Sequence, residues 1–116
     1  MGSRGRHFVN AGVYDIVWAQ VPFGKSQDVR PCVIIRNEPD DYITVLRVSS
    51  ALSLYNPSVH FKLSSSWAEF AETGLSKESF CDDSKFFRIK MSSVKRRSGS
   101  INGEMRAAFD RWLGLA

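Results

Sequence analysis

Residues 13–21, VYDIVWAQV, are β-branched and aromatic with apolar side chains on both faces. A strand of that kind needs cover on both sides, as in a small barrel or between two layers. Other segments repeat the signal. CVII at 32–35 reads as a second strand, the NEPDD turn follows, and YITVLRVSS at 42–50 reads as a third. Alternation along the third places Ile43, Val45, Arg47 and Ser49 on one face, with Tyr42, Thr44, Leu46, Val48 and Ser50 on the other. VHFKL at 59–63 predicts a half-exposed strand with Val59, Phe61 and Leu63 inward and His60 and Lys62 outward. SFCDD and KFFRIKM supply two further strand pieces around an acidic kink.

Two segments carry helical signals. Ser66 and Glu69 form a capping box before Trp67 and Phe70, and Gly74 supplies a stop, which predicts a short internal helix of about two turns. At the C-terminus Asn102 is placed to cap a helix whose Met105, Ala108, Phe109, Trp112 and Leu113 fall on one stripe. Glu104 stands in its first turn, Arg111 in its last, and Gly114 ends it. Such a stripe must lie on the sheet. The expected architecture is mainly β with helices: an SH3-like small β-barrel, a short internal helix, and a C-terminal helix packed on the sheet. Residues 1–11 lack periodicity and read as a flexible arm, its Met-Gly-Ser opening like an expression-tag remnant. Residues 12–116 form the one domain that a chain of 116 residues supports.

No apolar run reaches the length of a bilayer span or a signal-peptide core, which predicts a cytoplasmic chain with no membrane partner. Cys32 and Cys81 stand alone in apolar segments and read as reduced core thiols rather than a disulfide or zinc framework. The net charge of +4 is unevenly spread. Residues 85–111 hold eight Lys or Arg (Lys85, Arg88, Lys90, Lys95, Arg96, Arg97, Arg106, Arg111) against Glu104 and Asp110, a net +6, while the rest nets −2. This asymmetry suits a polyanion or an acidic protein partner, and equally a solvated surface.

Glycine-rich phosphate loops, G-x-S-x-G and H-E-x-x-H are all missing from the sequence, and no cofactor or metal is expected. His7 lies in the arm and His60 on an outward strand face. Arg30 is the conspicuous residue. It stands with Pro31 at the mouth of an apolar strand, where a guanidinium must point to solvent, pair with an acid such as Asp28, or face a ligand. The loop before it, PFGKSQDVR, has a length that tends to be functional, and its Phe23 either folds back on the barrel or stays free to stack on a ligand. With the hydroxyls of Ser49 and Ser50, these residues could make a concave site for an anion.

Five pieces in order resemble the MazF/PemK/Kid toxins. YDIVWAQVPFGKSQDVRPCVIIRN is similar to the family's G-D-I-V strand, glycine-containing loop and R-P-V-V-V-I strand. ITVLRVSS resembles its third strand, NPSVHFKL its P-T-H-V strand, ETGLSKESF its G-L-K-x-D-S-V, and VKRRSGSINGEMRAAFDRWLGL its L-x-x-R-I-G-x-L-x-x-x-x-M helix ending in L-G-L. The resemblance implies the toxin of a type II toxin–antitoxin system, a homodimeric, growth-inhibiting, metal-independent endoribonuclease that cuts single-stranded RNA by 2′-hydroxyl attack on the adjacent phosphate. It also implies a cognate acidic antitoxin. Arg30 matches the catalytic arginine, suited to a phosphorane by its fixed fork and permanent charge, and Ser49 matches a strand-end Thr that positions the phosphate or the hydroxyl. Arg47, His60 and Ser50 stand as assisting residues, with Phe23, Lys25, Lys85, Lys95, Arg96 and Arg97 as RNA contacts. Two departures stand out: Arg47 replaces a small or apolar residue, and Lys85 replaces a polar neutral one, so no cleavage motif is carried over. The alternative is a non-catalytic module on the same barrel, either a CcdB-like poison or an RNA-binding domain.

Overall fold

The computed structural model describes residues 9–21 and 29–114, the side chain of Lys85 apart. Six strands, β1 (Asp15–Gln20), β2 (Val29–Asn37), β3 (Tyr42–Ser49), β4 (Phe61–Leu63), β5 (Ser79–Lys90) and β6 (Val94–Ser100), are followed by helix α1 (Gly103–Leu113). They form one antiparallel sheet in the order β4-β5-β3-β2-β1-β6.

The two-faced apolar pattern of the central strands is used on both sides. Ile16, Val33, Leu46 and Val48 face Met105 and Phe109 of α1 in one buried cluster. Their neighbours Val17, Cys32, Ile34 and Val45 join a second. Ile89 of β5 and Val94 of β6 meet in that second cluster although three strands separate β5 from β6 in the sheet, so the sheet curls around it as a half-barrel. Val9 and Ala11, expected within the arm, pack against the same cluster. Both cysteines are buried free thiols, and burial pushes the Cys32 thiol up to about 12.

Helix α1 follows its predicted stripe, with Met105 and Phe109 fully buried, and Gly114 closes it in the left-handed conformation at φ 82°. Its first turn is satisfied differently from expectation. Asn102 sits at the N-cap position but makes no side-chain cap bond; its Oδ1 accepts from Arg106 and its Nδ2 donates to Glu72. The acceptor comes from Glu69, whose Oε2 takes the Glu104 N–H at 3.1 Å.

That use of Glu69 also corrects the internal helix. In place of two turns over 66–74 there is one 3-10 turn, Phe70–Thr73, closed by Gly74 at φ 72°. The capping box never forms. Glu69 is drawn to α1, while Ser64 and Ser65 are held by the Glu78 carboxylate, which accepts from the Ser65 N–H and both hydroxyls and is thereby pulled down to about 2. Ser66 is left bonded to Ser64.

Three strand expectations change too. Asn56 caps a tight turn, its Oδ1 taking the Ser58 N–H and its carbonyl those of Val59 and His60, so β4 starts only at Phe61 and Val59 is exposed rather than inward. The two pieces around the acidic kink form one strand, β5. Its register against β3 jumps from Phe86 opposite Leu46 to Asp82 opposite Arg47, which loops residues 83–85 out. Strand β6, VKRRSGS, carries no strand pattern in sequence because as an edge strand it turns Lys95, Arg96 and Arg97 to solvent.

β6 docks on the 3-10 turn through two glycines. A Cβ on Gly99 would lie 2.1 Å from the Glu72 carbonyl oxygen, and one on Gly74 would lie 1.9 Å from that of Ser98. Gly74→Ala adds the left-handed penalty of about 1–2 kcal/mol to that backbone clash, so its melting temperature should fall by at least several degrees. An unchanged thermal melt would rule out this docking.

Candidate active site

The sheet forks between β2 and β3. Val29, Arg30 and Pro31 are paired with β1 (Arg30 opposite Ala19), whereas the pairing of β2 with β3 begins at Cys32, opposite Arg47. Pro31, immediately before that first pair, has no N–H to give. Across the gap, Val48 and Ser49 pair with β5. A cavity of about 440 Å³ opens in the fork, lined among others by Trp18, Arg30, Pro31, Arg47, Ser49 and Ser50. Strand parity explains the convergence. Arg30 shares a strand face with Cys32 and Ile34, and Arg47 and Ser49 share one with Val45, while Val48 of the first cluster also lines the cavity.

Arg30 and Arg47 are exposed, whereas Ser49 is buried at 9% exposure. The Ser49 Oγ accepts the Ala51 N–H at 3.1 Å, which fixes the hydroxyl at the strand end and leaves its own hydrogen to be donated. Among the described lining residues the charged side chains are arginines; none is a carboxylate. Behind Arg47, Asp82 stands opposite it on β5. Burial acts to raise the Asp82 pKa, but the Ser84 hydrogen bonds and the charges of His60 and Arg47 outweigh it, and the carboxyl titrates below its ordinary range.

His60 is placed unlike the outward residue expected. Its side chain is only 13% exposed and its ring stacks on Phe80 with centroids 4.5 Å apart. Nδ1 accepts the Asn56 N–H at 3.0 Å, which puts the neutral ring's hydrogen on Nε2, 3.8 Å from Asp82 Oδ1. His60 does not line the cavity; it stands behind Asp82.

The basic C-terminal segment does not form one patch. Arg97 pairs with Asp15 at 3.2 Å and donates to Ser100, Arg106 donates to Ile101 and Asn102, and Arg88 covers the Tyr42 ring at 3.9 Å. Lys95 is exposed on the β6 edge. Only Arg96 of the expected contacts on β6 reaches the neighbourhood of the cavity, lying over the Trp18 ring at 4.7 Å. His7, Phe23, Lys25 and Asp28 lie outside the described residues, as does the Lys85 side chain. Trp18 and Asp82 are site residues that the sequence pattern does not reveal. A tryptophan inside an apolar strand reads as core, and one aspartate of the Asp82–Asp83 pair has no local mark to distinguish it.

Among the described residues no three His, Cys, Asp or Glu side chains gather as a metal site requires, and no helix is long and apolar enough to cross a membrane. Among solved structures, the chain is similar to the Mycobacterium tuberculosis toxin MazF-mt6, with a TM-score of 0.61 over 88% of this chain and 98% of that one. The fold is MazF-like. Sequence identity to that toxin is 16%, so the likeness is one of backbone architecture. No protein-family model matches the chain, and no curated protein sequence matches it either. Within the MazF-like fold, the β2–β3 fork is where Arg30, Arg47 and Ser49 come together.

Proposed function

We propose that the chain is a type II toxin that cuts single-stranded RNA in the cytoplasm without a metal, by attack of a 2′-hydroxyl on the adjacent phosphate. The observation that carries this reading is a cavity where two guanidiniums and two hydroxyls converge with no carboxylate among the described lining residues. In the reaction the bond from O2′ to phosphorus forms and the bond from phosphorus to O5′ breaks. The 2′-oxygen loses a proton, the 5′-oxygen gains one, and the products carry a 2′,3′-cyclic phosphate and a 5′-hydroxyl. Arg30 holds the non-bridging oxygens in its fork as negative charge builds on them. Ser49 donates to the same phosphate, its Oγ being held by Ala51. Arg47 adds a second positive charge from the other side of the fork and is oriented by Asp82, with His60 acting through that carboxylate. Of the groups able to assist proton transfer, Arg47 lines the cavity and His60 does not.

The same cationic cavity suits an acidic antitoxin tail as an inhibitor, and the MazF-like backbone favours a homodimer. The test is incubation of the purified protein with a defined single-stranded RNA in EDTA, with analysis of the product ends. Fragments ending in 2′,3′-cyclic phosphate are expected. Intact RNA from a preparation that still arrests growth would instead favour the non-catalytic reading, a CcdB-like poison or an RNA-binding module.

A further inference from the structure

A second hollow, of about 240 Å³, adjoins the cavity and shares Trp18, Pro31 and Ser50 with it. Its far wall comes from elements remote from the β2–β3 fork: Gly74 and Lys77, on the segment following the 3-10 turn, and Arg96 on β6. We infer that this hollow is a subsite for the phosphate and sugar of the nucleotide next to the scissile one, an inference that rests on the RNA reading above.

Three observations carry it. First, the charged side chains among its described lining residues are Lys77 and Arg96, again with no carboxylate, so the two connected hollows present four cations to one ligand. A run of cations along a groove tracks a nucleic-acid backbone. Second, Arg96 is held in place, its guanidinium lying on the Trp18 ring at 4.7 Å, while the Ser79 hydroxyl donates to the Lys77 carbonyl and fixes the chain there. Third, the volume is below the roughly 300–1,000 Å³ of a site that encloses a whole small ligand. It suits a phosphate with its sugar and leaves the base outside.

The inference predicts that the longer the strand, the more these two cations matter. The experiment compares the wild type with Lys77→Gln/Arg96→Gln, and with Lys77→Gln alone in case loss of Arg96 disturbs the Trp18 wall. The readouts are kcat/KM on a dinucleotide and on a longer single-stranded RNA, and binding of the longer strand in fully 2′-O-methylated form across a salt series. The ratio of kcat/KM between long and short substrates should fall at least about tenfold in the double variant. The slope of log affinity against log salt should become shallower by about 0.7, the value for the one phosphate of a single strand that the protein no longer neutralises. An unchanged ratio together with an unchanged slope would overturn the subsite even if the wild type cleaves RNA normally. If the wild type cleaves neither substrate but binds the methylated strand with the variant-sensitive slope, the cleavage reading fails and the subsite stands. Binding of an acidic peptide with that same sensitivity, and of no RNA strand, would overturn both.

Discussion

Arg30→Ala is expected to slow cleavage of single-stranded RNA by about a hundred- to a thousandfold and to abolish growth arrest, with the thermal melt unchanged. The rate effect follows from losing a charged, forked donor aimed at the phosphate where negative charge develops, an interaction worth more in the transition state than in the ground state. The melt should not move because Arg30 is exposed at the mouth of β2 and belongs to neither buried cluster. Arg30→Lys should recover only part of the rate, since an ammonium keeps the charge but loses the two-pronged geometry. Cleavage by all of these proteins is measured in EDTA-containing buffer. Activity that EDTA destroys and the arginine variant retains would contradict the mechanism at its centre.

The second large effect concerns stability. Phe109 is fully buried, and its ring meets Phe61, Trp112 and Tyr14 with centroids 5.6, 5.7 and 6.3 Å away. Phe109→Ala removes the anchor that holds α1 on the sheet and should cost about 3–5 kcal/mol, against a total of about 5–15 kcal/mol for a domain. The melting temperature should fall by on the order of 12–20 °C, read by circular dichroism. α1 contributes no described lining residue to the cavity, so the protein that remains folded in the cold should cleave RNA at close to the wild-type rate. A variant that melts normally would mean that α1 contributes little to the core. One that stays folded yet inactive would mean that the helix shapes the site directly.

Much of the fold is legible along the chain because its signals are local. The two-faced apolar run of β1, the alternation of β3 and the stripe of α1 each span a few residues, and the structure uses them where they stand. Arg30 is conspicuous for a similar reason, since a guanidinium beside Pro31 at the start of an apolar strand cannot be an ordinary core residue. Where local pattern misleads, the cause is competition from distant partners. Glu69 is taken by the first turn of α1, so the Ser66 box stays open; β6 is a strand only because β1 offers it an edge; and His60 is covered because Phe80 and Asp82 lie beside it.

The sequence alone determined which stretches bury both faces, where the last helix begins and ends, and that an arginine opens the second strand, because backbone propensity and side-chain period act between near neighbours. Only the tertiary structure decided that Arg30, Arg47 and Ser49 share one cavity. That depends on where β2 stops pairing with β3, and such a fork arises from hydrogen bonding between strands, to which no single segment holds the key.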